Sequence, residues 1–184
     1  MLQAIPLFPT PVWHYRISDW ETKKEQLLSL HEDKPEYWED DNFTDFRRDN
    51  LNSYSKEFST IMIRELMEFQ DCVKQSFVGI NGLSINSVWT QKYLKNKFMG
   101  PHTHGSQGFS SVIYTEFTKG EHKSTCLQAY NCCPVTGDHQ EIELDVEEGD
   151  MIIFPSTMAH YANPSESDNQ RTIVSFNMTI NWNV

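Results

Sequence analysis

The chain has 184 residues, 38% of them apolar and 12% aromatic, with 15 Lys or Arg against 26 Asp or Glu for a formal net charge of −11. This is the size and composition of one globular domain with a real core. The acidity disfavours phosphate-backbone partners, and apolar runs such as Met151–Phe154 are far too short to span a bilayer.

Met1–Pro11 has no basic n-region, so it does not read as a signal peptide and a cytoplasmic location is expected. Residues 12–17 alternate and read as a strand, with Trp13, Tyr15 and Ile17 on one face. Ser18 stands three residues before Glu21, a capping-box spacing that predicts a helix from Asp19 to about His31. Residues 35–52 are charged and aromatic without a clean period. They read as a long loop, and Tyr37, Trp38, Phe43 and Phe46 make it a candidate substrate lid or an aromatic-tucked surface connection.

The clearest helix follows. Phe58, Ile61, Met62, Glu65, Leu66, Phe69, Val73 and Phe77 recur every three or four residues, and Gly79 and Gly82 are expected to end it. Such a face packs on a sheet. From Leu83 onward the runs are short and β-branched, at about 84–94, 109–117, 125–131, 141–146, 150–154 and 171–182. Closely spaced short strands predict a mainly β sandwich or barrel with packed helices. One domain is expected over 1–184, with helical support roughly over 18–82 and a core over 83–184 joined by the N-terminal strand.

In the last run, Val174, Phe176, Met178, Ile180 and Trp182 face one way. Arg171, Ile173, Ser175, Asn177, Thr179 and Asn181 face the other. The polar face could meet water or a wet functional interior, and alternation alone does not separate the two.

Chemistry concentrates at three places. His102 and His104 form a His-x-His unit, and in extended backbone residues i and i+2 project to the same face about 6.6 Å apart. Two imidazoles so placed can share one metal ion. His160, after the turn at Pro155, is the best third ligand. Arg171 lies on the polar face of the final strand, where a guanidinium could hold the far carboxylate of an acidic co-substrate that chelates the metal. Cys72, Cys126, Cys132 and Cys133 form no C-x-x-C pair and read as reduced thiols; a zinc site from Cys132, Cys133 and His139 is a weaker reading. His14, His31, His122 and His139 read as structural or exposed.

The ordered set is similar to the iron(II)- and 2-oxoglutarate-dependent oxygenases, in particular small members from marine bacteria and their phages within the prolyl-hydroxylase-like superfamily. The matching pieces are Leu7-Phe-Pro-Thr-Pro-Val-Trp13, Trp89, Tyr93, Pro101-His-Thr-His104, Ser110-Ser-Val-Ile-Tyr114, Gly149-Asp-Met-Ile-Ile-Phe-Pro155, His160 and Arg171-Thr-Ile-Val-Ser-Phe-Asn177. The resemblance implies a double-stranded β-helix, a cupin-like jelly-roll barrel with helices packed on one sheet. It implies Fe(II), 2-oxoglutarate and O2 as cofactor and co-substrates, release of succinate and CO2, and usually hydroxylation of a small molecule, peptide or protein, in the cytoplasm of a bacterium or phage-infected host. His102 and His160 become iron ligands, Arg171 the carboxylate anchor, Tyr114 a hydroxyl donor to that carboxylate, and Ser175 and Tyr93 weaker helpers.

Two positions depart from the pattern. His104 stands where the superfamily carries Asp or Glu, so either it ligates or it leaves a coordination place open, as in halogenating members. The usual Arg-x-Ser pair reads Arg171-Thr-Ile173, and Ile173 donates no hydrogen bond. A cupin-type three-histidine metalloenzyme and a non-catalytic barrel are the competing readings. The cupin pattern wants a Glu shortly after His104 and gives Arg171 no role.

Overall fold

The structure is a computed structural model. It describes residues 10–30, 42–44, 54–132, 136 and 139–182. The elements are β1 (Trp13–Arg16), α1 (Trp20–Ser29), β2 (Asn42–Thr44), α2 (Ser55–Ile61), α3 (Ile63–Ser76), β3 (Ile80–Tyr93), β4 (Met99–His102), β5 (Phe109–Glu116), β6 (Thr125–Cys132), β7 (His139–Glu143), β8 (Asp150–Pro155), β9 (His160–Ala162) and β10 (Arg171–Trp182). They build a six-stranded sheet in the order β1-β8-β5-β10-β3-β2 and a four-stranded sheet in the order β4-β9-β6-β7, with all pairings between these strands antiparallel. Two facing antiparallel sheets with crossing connections form the double-stranded β-helix.

Two apolar clusters divide the molecule. The first joins Leu27, Phe58, Met62, Phe69 and Val73 of the helices to Val88, Ile113, Ile153, Val174, Phe176 and Met178 of the large sheet. Phe58 stacks obliquely on Phe176 at 4.8 Å, and Trp13, Phe69 and Phe109 meet edge to face at 5.1–5.6 Å. The second cluster, with Tyr93, Val112, Tyr114, Leu127, Ile152, Phe154, Met158 and Ile173, fills the space between the sheets. Each fully buried aliphatic or aromatic side chain contributes on the order of 1.5–3 kcal/mol. This partition resolves the last strand: its apolar row packs under the helices, and its polar row faces the barrel interior.

Several local expectations are corrected. Ser18 and Glu21 make no capping box. Asp19 is the N-cap residue, in the left-handed region at φ 52°, without a side-chain cap hydrogen bond. The Ser18 hydroxyl instead donates to Glu65 Oε1 at 2.8 Å. The long helix breaks at Met62 into α2 and α3, because Met62 adopts φ −99°, ψ 15°. It ends at Ser76, and Gly82 lies inside β3, where the strand begins four residues earlier than the β-branched run suggested. The 35–52 loop falls mostly outside the described residues; Asn42–Thr44 of it add an edge strand to β3.

Two glycines hold the layers close. Gly149 has φ +87°, and a Cβ there would sit 2.9 Å from the Trp20 ring. Gly108 has φ +98°, and its Cβ would sit 2.2 Å from the Met178 carbonyl oxygen. No L side chain fits that approach, so glycine is required where the chain passes from His104 into β5.

Candidate metal centre

His102 ends β4, and its direct cross-strand neighbour is His160, which opens β9. His104 follows two residues beyond the strand, held by its backbone N–H to the Ser156 carbonyl at 2.9 Å. The three rings converge, with centroids 4.3 Å apart for His102–His160 and 5.0 Å for each pair with His104. One ligand atom from each lies within 4.8 Å of the others. The structure thus brings the three rings together.

Hydrogen bonds set the ring tautomers. His102 Nδ1 faces the Gly100 carbonyl at 2.8 Å, and His160 Nδ1 faces the Met158 carbonyl at 3.0 Å. A carbonyl only accepts, so each Nδ1 carries the proton and each Nε2 presents a lone pair. Burial pushes the His160 pKa down to about 3, with the neighbouring imidazoles adding to the shift. Burial and His102 push His104 down to about 4. Near neutral pH these two rings are therefore uncharged, as a metal requires. Phe154 meets His160 edge to face at 4.7 Å, and Trp89 stacks on His104 at 5.3 Å with 13° between planes. The donor set fits a divalent transition metal that accepts imidazole.

Arg171 lies on the interior row of β10 and is 2% exposed. Its guanidinium donates to the Lys123 carbonyl and, at 3.4 Å, to the Asn163 carbonyl, and it stacks 4.1 Å over the Tyr93 ring. Among the described residues no carboxylate pairs with it and its Nε has no hydrogen-bond partner. Burial lowers its pKa, yet a guanidinium keeps its charge in any protein environment. Glu143 acts on its charge through space without forming an ion pair; a buried cation so placed is costly, and a carboxylate ligand would relieve that cost.

The other expected residues fall on the same inner surface. Tyr93 is the cross-strand partner of Arg171, and Ser175 pairs with Trp89 on one side and Val112 on the other. The Tyr114 hydroxyl accepts the Thr125 N–H at 3.1 Å. Burial raises the pKa of both tyrosines, so each hydroxyl stays protonated. The interior faces of β10 and β3 thus run in parallel rows, Arg171, Ile173, Ser175, Asn177 opposite Tyr93, Gln91, Trp89, Ser87. The guanidinium stands at one end and the imidazoles at the other.

Sequence reasoning missed part of this surface. Asn177, Ser87, Ser110 and Ser156 form a hydrogen-bonded group beside His104, and Gln91 is buried opposite Ile173. Their signal was the period of two itself: each polar residue in step with Arg171 or Trp89 on its strand belongs to the interior. The remaining histidines are structural where they are described. His14 lies 3.0 Å from Asp150, and His122 bridges the Thr118 N–H and the Asn169 carbonyl at 3.0 Å each. Cys72 and Cys126 are free thiols; the side chains of Cys132, Cys133 and His139 lie outside the described residues.

The double-stranded β-helix therefore carries an imidazole cluster that could hold a metal at the end of its minor sheet and a buried guanidinium in its major sheet. Residues 87–177 match the family described as "Putative 2OG-Fe(II) oxygenase". This match indicates an oxygenase that uses Fe(II), 2-oxoglutarate and O2.

Solved structures share the fold at low identity. The nickel and 2-oxoglutarate complex of HygX from Streptomyces hygroscopicus has TM-score 0.64 and 13% identity, covering 92% of this chain and 83% of that one. The viral collagen prolyl hydroxylase of Paramecium Bursaria Chlorella virus-1, as its 2OG complex, has TM-score 0.59 and 12% identity, covering 90% and 94%. A 2OG-Fe(II) oxygenase family oxidoreductase from Burkholderia pseudomallei has TM-score 0.50 and 16% identity over 67% of this chain, which spans 55% of that longer one. No curated protein matches the chain in sequence. Among the described residues no helix is long and apolar enough to cross a membrane.

Proposed function

We propose that the chain hydroxylates a small-molecule or peptide substrate at an iron held by His102, His104 and His160, with the far carboxylate of 2-oxoglutarate anchored on Arg171. The balance is substrate C–H plus 2-oxoglutarate plus O2 giving substrate C–OH, succinate and CO2. One observation carries the reading: imidazole ligand atoms within 4.8 Å of one another share an inner surface with a buried guanidinium whose Nε has no hydrogen-bond partner. The bound metal supplies O2 activation coupled to decarboxylation of the co-substrate.

The chain's own groups have separable tasks. Carbonyls of Gly100 and Met158 aim the Nε2 atoms of His102 and His160. Arg171, kept flat on the Tyr93 ring, presents its unpaired Nε to a carboxylate, and the Tyr114 hydroxyl keeps a proton to donate beside it. Ser175 stands between the two ends of the site and is the nearer of the weak helpers to the metal. Trp89, Phe154 and Met158 exclude water around the imidazoles.

The His104 ring lies 5.0 Å from each partner ring, against 4.3 Å between those two, and its ligand atom is still within 4.8 Å of theirs, which favours a three-histidine site over an open coordination place. The buried Arg171 favours the oxygenase over a cupin reading, which has no use for it. The peptide option rests on the likeness to a prolyl hydroxylase, and the acidic surface suits a basic peptide better than a nucleic acid. The free thiols of Cys72 and Cys126 support a cytoplasmic setting. The whole chain works here as one oxygenase domain, its helical layer backing the large sheet.

The test is anaerobic addition of Fe(II) and then 2-oxoglutarate. A weak visible charge-transfer band is expected. Arg171→Ala should weaken 2-oxoglutarate binding at least tenfold and leave Fe(II) affinity within about twofold, since it removes charge-assisted hydrogen bonds each worth roughly 1.5–3 kcal/mol. Equal loss of both affinities would make Arg171 a structural residue and overturn the assignment.

A further inference from the structure

His102 and His160 have their Nδ1 protons fixed by backbone carbonyls, whereas His104 meets a side chain at Nδ1. Its Nδ1 lies 3.2 Å from the side-chain Nδ2 of Asn177, on the interior row of β10. An amide presents either an NH2 donor or a carbonyl acceptor, related by a half-turn of the group. With NH2 toward the ring, His104 accepts on Nδ1 and carries its proton on Nε2, which then cannot ligate. With the carbonyl oxygen toward the ring, Nδ1 donates and Nε2 offers a lone pair.

The surroundings tolerate both orientations. One end of the amide lies 3.1 Å from the Ser87 hydroxyl, and the other lies 2.8 Å from the Ser110 hydroxyl. Ser110 in turn lies 3.0 Å from the Ser156 hydroxyl. Every one of these partners is a hydroxyl, able to donate or accept. In one state Ser156 donates to Ser110, Ser110 donates to the Asn177 oxygen, and the amide NH2 donates to Ser87 and His104. In the other the amide NH2 donates to Ser110, Ser110 donates to Ser156, and Ser87 and His104 donate to the amide oxygen. The same contacts are made each time. The Ser156 carbonyl meanwhile holds the His104 backbone, so the ring stays in place while its tautomer changes.

We propose that Asn177 is the positioning residue that makes His104 a metal ligand: its side-chain oxygen turns to Nδ1 and sends the lone pair to Nε2, converting a two-histidine site into a three-histidine one. This rests on the reading that His104 ligates. It gives the departure at position 104 a physical partner on a second strand, in contact with the ring nitrogen opposite the ligating one. The Ser87-Asn177-Ser110-Ser156 group lets that acceptor form without leaving a buried polar atom unsatisfied.

The experiment is anaerobic Co(II) titration of the full chain, read by absorbance, with thermal melting as a fold control. Asn177→Leu should weaken Co(II) binding roughly 10- to 100-fold, the usual effect of removing the group that orients a ligating imidazole. Asn177→Asp, a permanent acceptor, should bind at least as tightly as the parent. In a His104→Ala background, Asn177→Leu should have no further effect. An equal loss in both backgrounds, or no loss in the parent, overturns the proposal. His104→Ala binding Co(II) as tightly as the parent instead overturns the ligand reading beneath it. Should Asn177→Leu fail to fold, nitrogen-15 spectra of histidine in the Zn(II)-loaded parent decide the matter. His104 should show a protonated Nδ1 and a metal-bound Nε2, and a metal-bound Nδ1 would refute the assignment.

Discussion

Ile173 sits two residues from Arg171 on the same inner row, where a hydrogen-bond donor would serve a dicarboxylate best. Directly across the ladder is Gln91, 5% exposed, with its NH2 lacking a partner among the described residues. A buried donor left unmade costs on the order of 1–3 kcal/mol, so Gln91 is best explained by a ligand that completes it. Gln91→Leu should weaken 2-oxoglutarate binding to the Mn(II)-loaded protein about tenfold while Mn(II) binding holds; calorimetry with co-substrate would read this, and unchanged affinity would remove Gln91 from the site. The histidines and Arg171 could be recognised in the sequence because they are rare types in an ordered spacing. For Gln91 and Asn177 the period of two gave only the face, since the role of a single amide in a strand depends on the residue facing it on another strand.

At the level of elements, the capping-box reading failed for an instructive reason. Ser18 and Glu21 have the local spacing, but a residue 47 positions away takes the hydroxyl. Glu65 of α3, whose side chain is 3% exposed, pairs with Lys23 of α1 at 2.7 Å and accepts from Ser18. Glu65 had fallen in the helix's apolar stripe, and the stripe was right about burial though not about the partner. Burial alone would raise its carboxyl pKa, but hydrogen bonds from Lys23 and Ser18 outweigh it and hold the group below its ordinary 4.5. Removing Lys23 leaves that buried charge unpaired, so Lys23→Met should cost about 3–5 kcal/mol at pH 7 in urea unfolding. The sign with pH follows from the lowered value. The stabilisation is present above pH 4.5 and is lost as pH falls through the depressed folded-state pKa, where the folded carboxylate finally takes its proton. The gap between parent and variant should therefore shrink below pH 4.5; a gap that widens there would mean the pair is not what joins α1 to α3.

For the molecule as a whole, the two sheets meet at the imidazoles. His102 and His160 belong to the minor sheet, whereas His104 is tied by Asn177 to β10 in the major sheet. The minor-sheet strands that carry the ligands were illegible beforehand because they are too short to alternate: β9 has three residues, and β4 has four with a proline among them. A sheet with such short strands has little cross-strand packing of its own, so a metal held by all three rings would act as a clasp between sheets. Mass action then gives a magnitude. At a free concentration of 100 times its Kd, a metal that binds the folded chain alone adds about 2.7 kcal/mol. For a chain of this length each kcal/mol is worth roughly 2–4 °C, so saturating Mn(II) should raise Tm by about 5–11 °C. Hydrogen exchange should localise the gain to amides of β4 and β9, with little change in α1, whose stability comes from its packing on α2 and the large sheet. Replacing His102 and His160 together by Ala should abolish both effects. A Tm rise of the same size in that double variant, or protection spread evenly over helices and sheets, would show that the metal stabilises the chain from somewhere other than the junction of the two sheets.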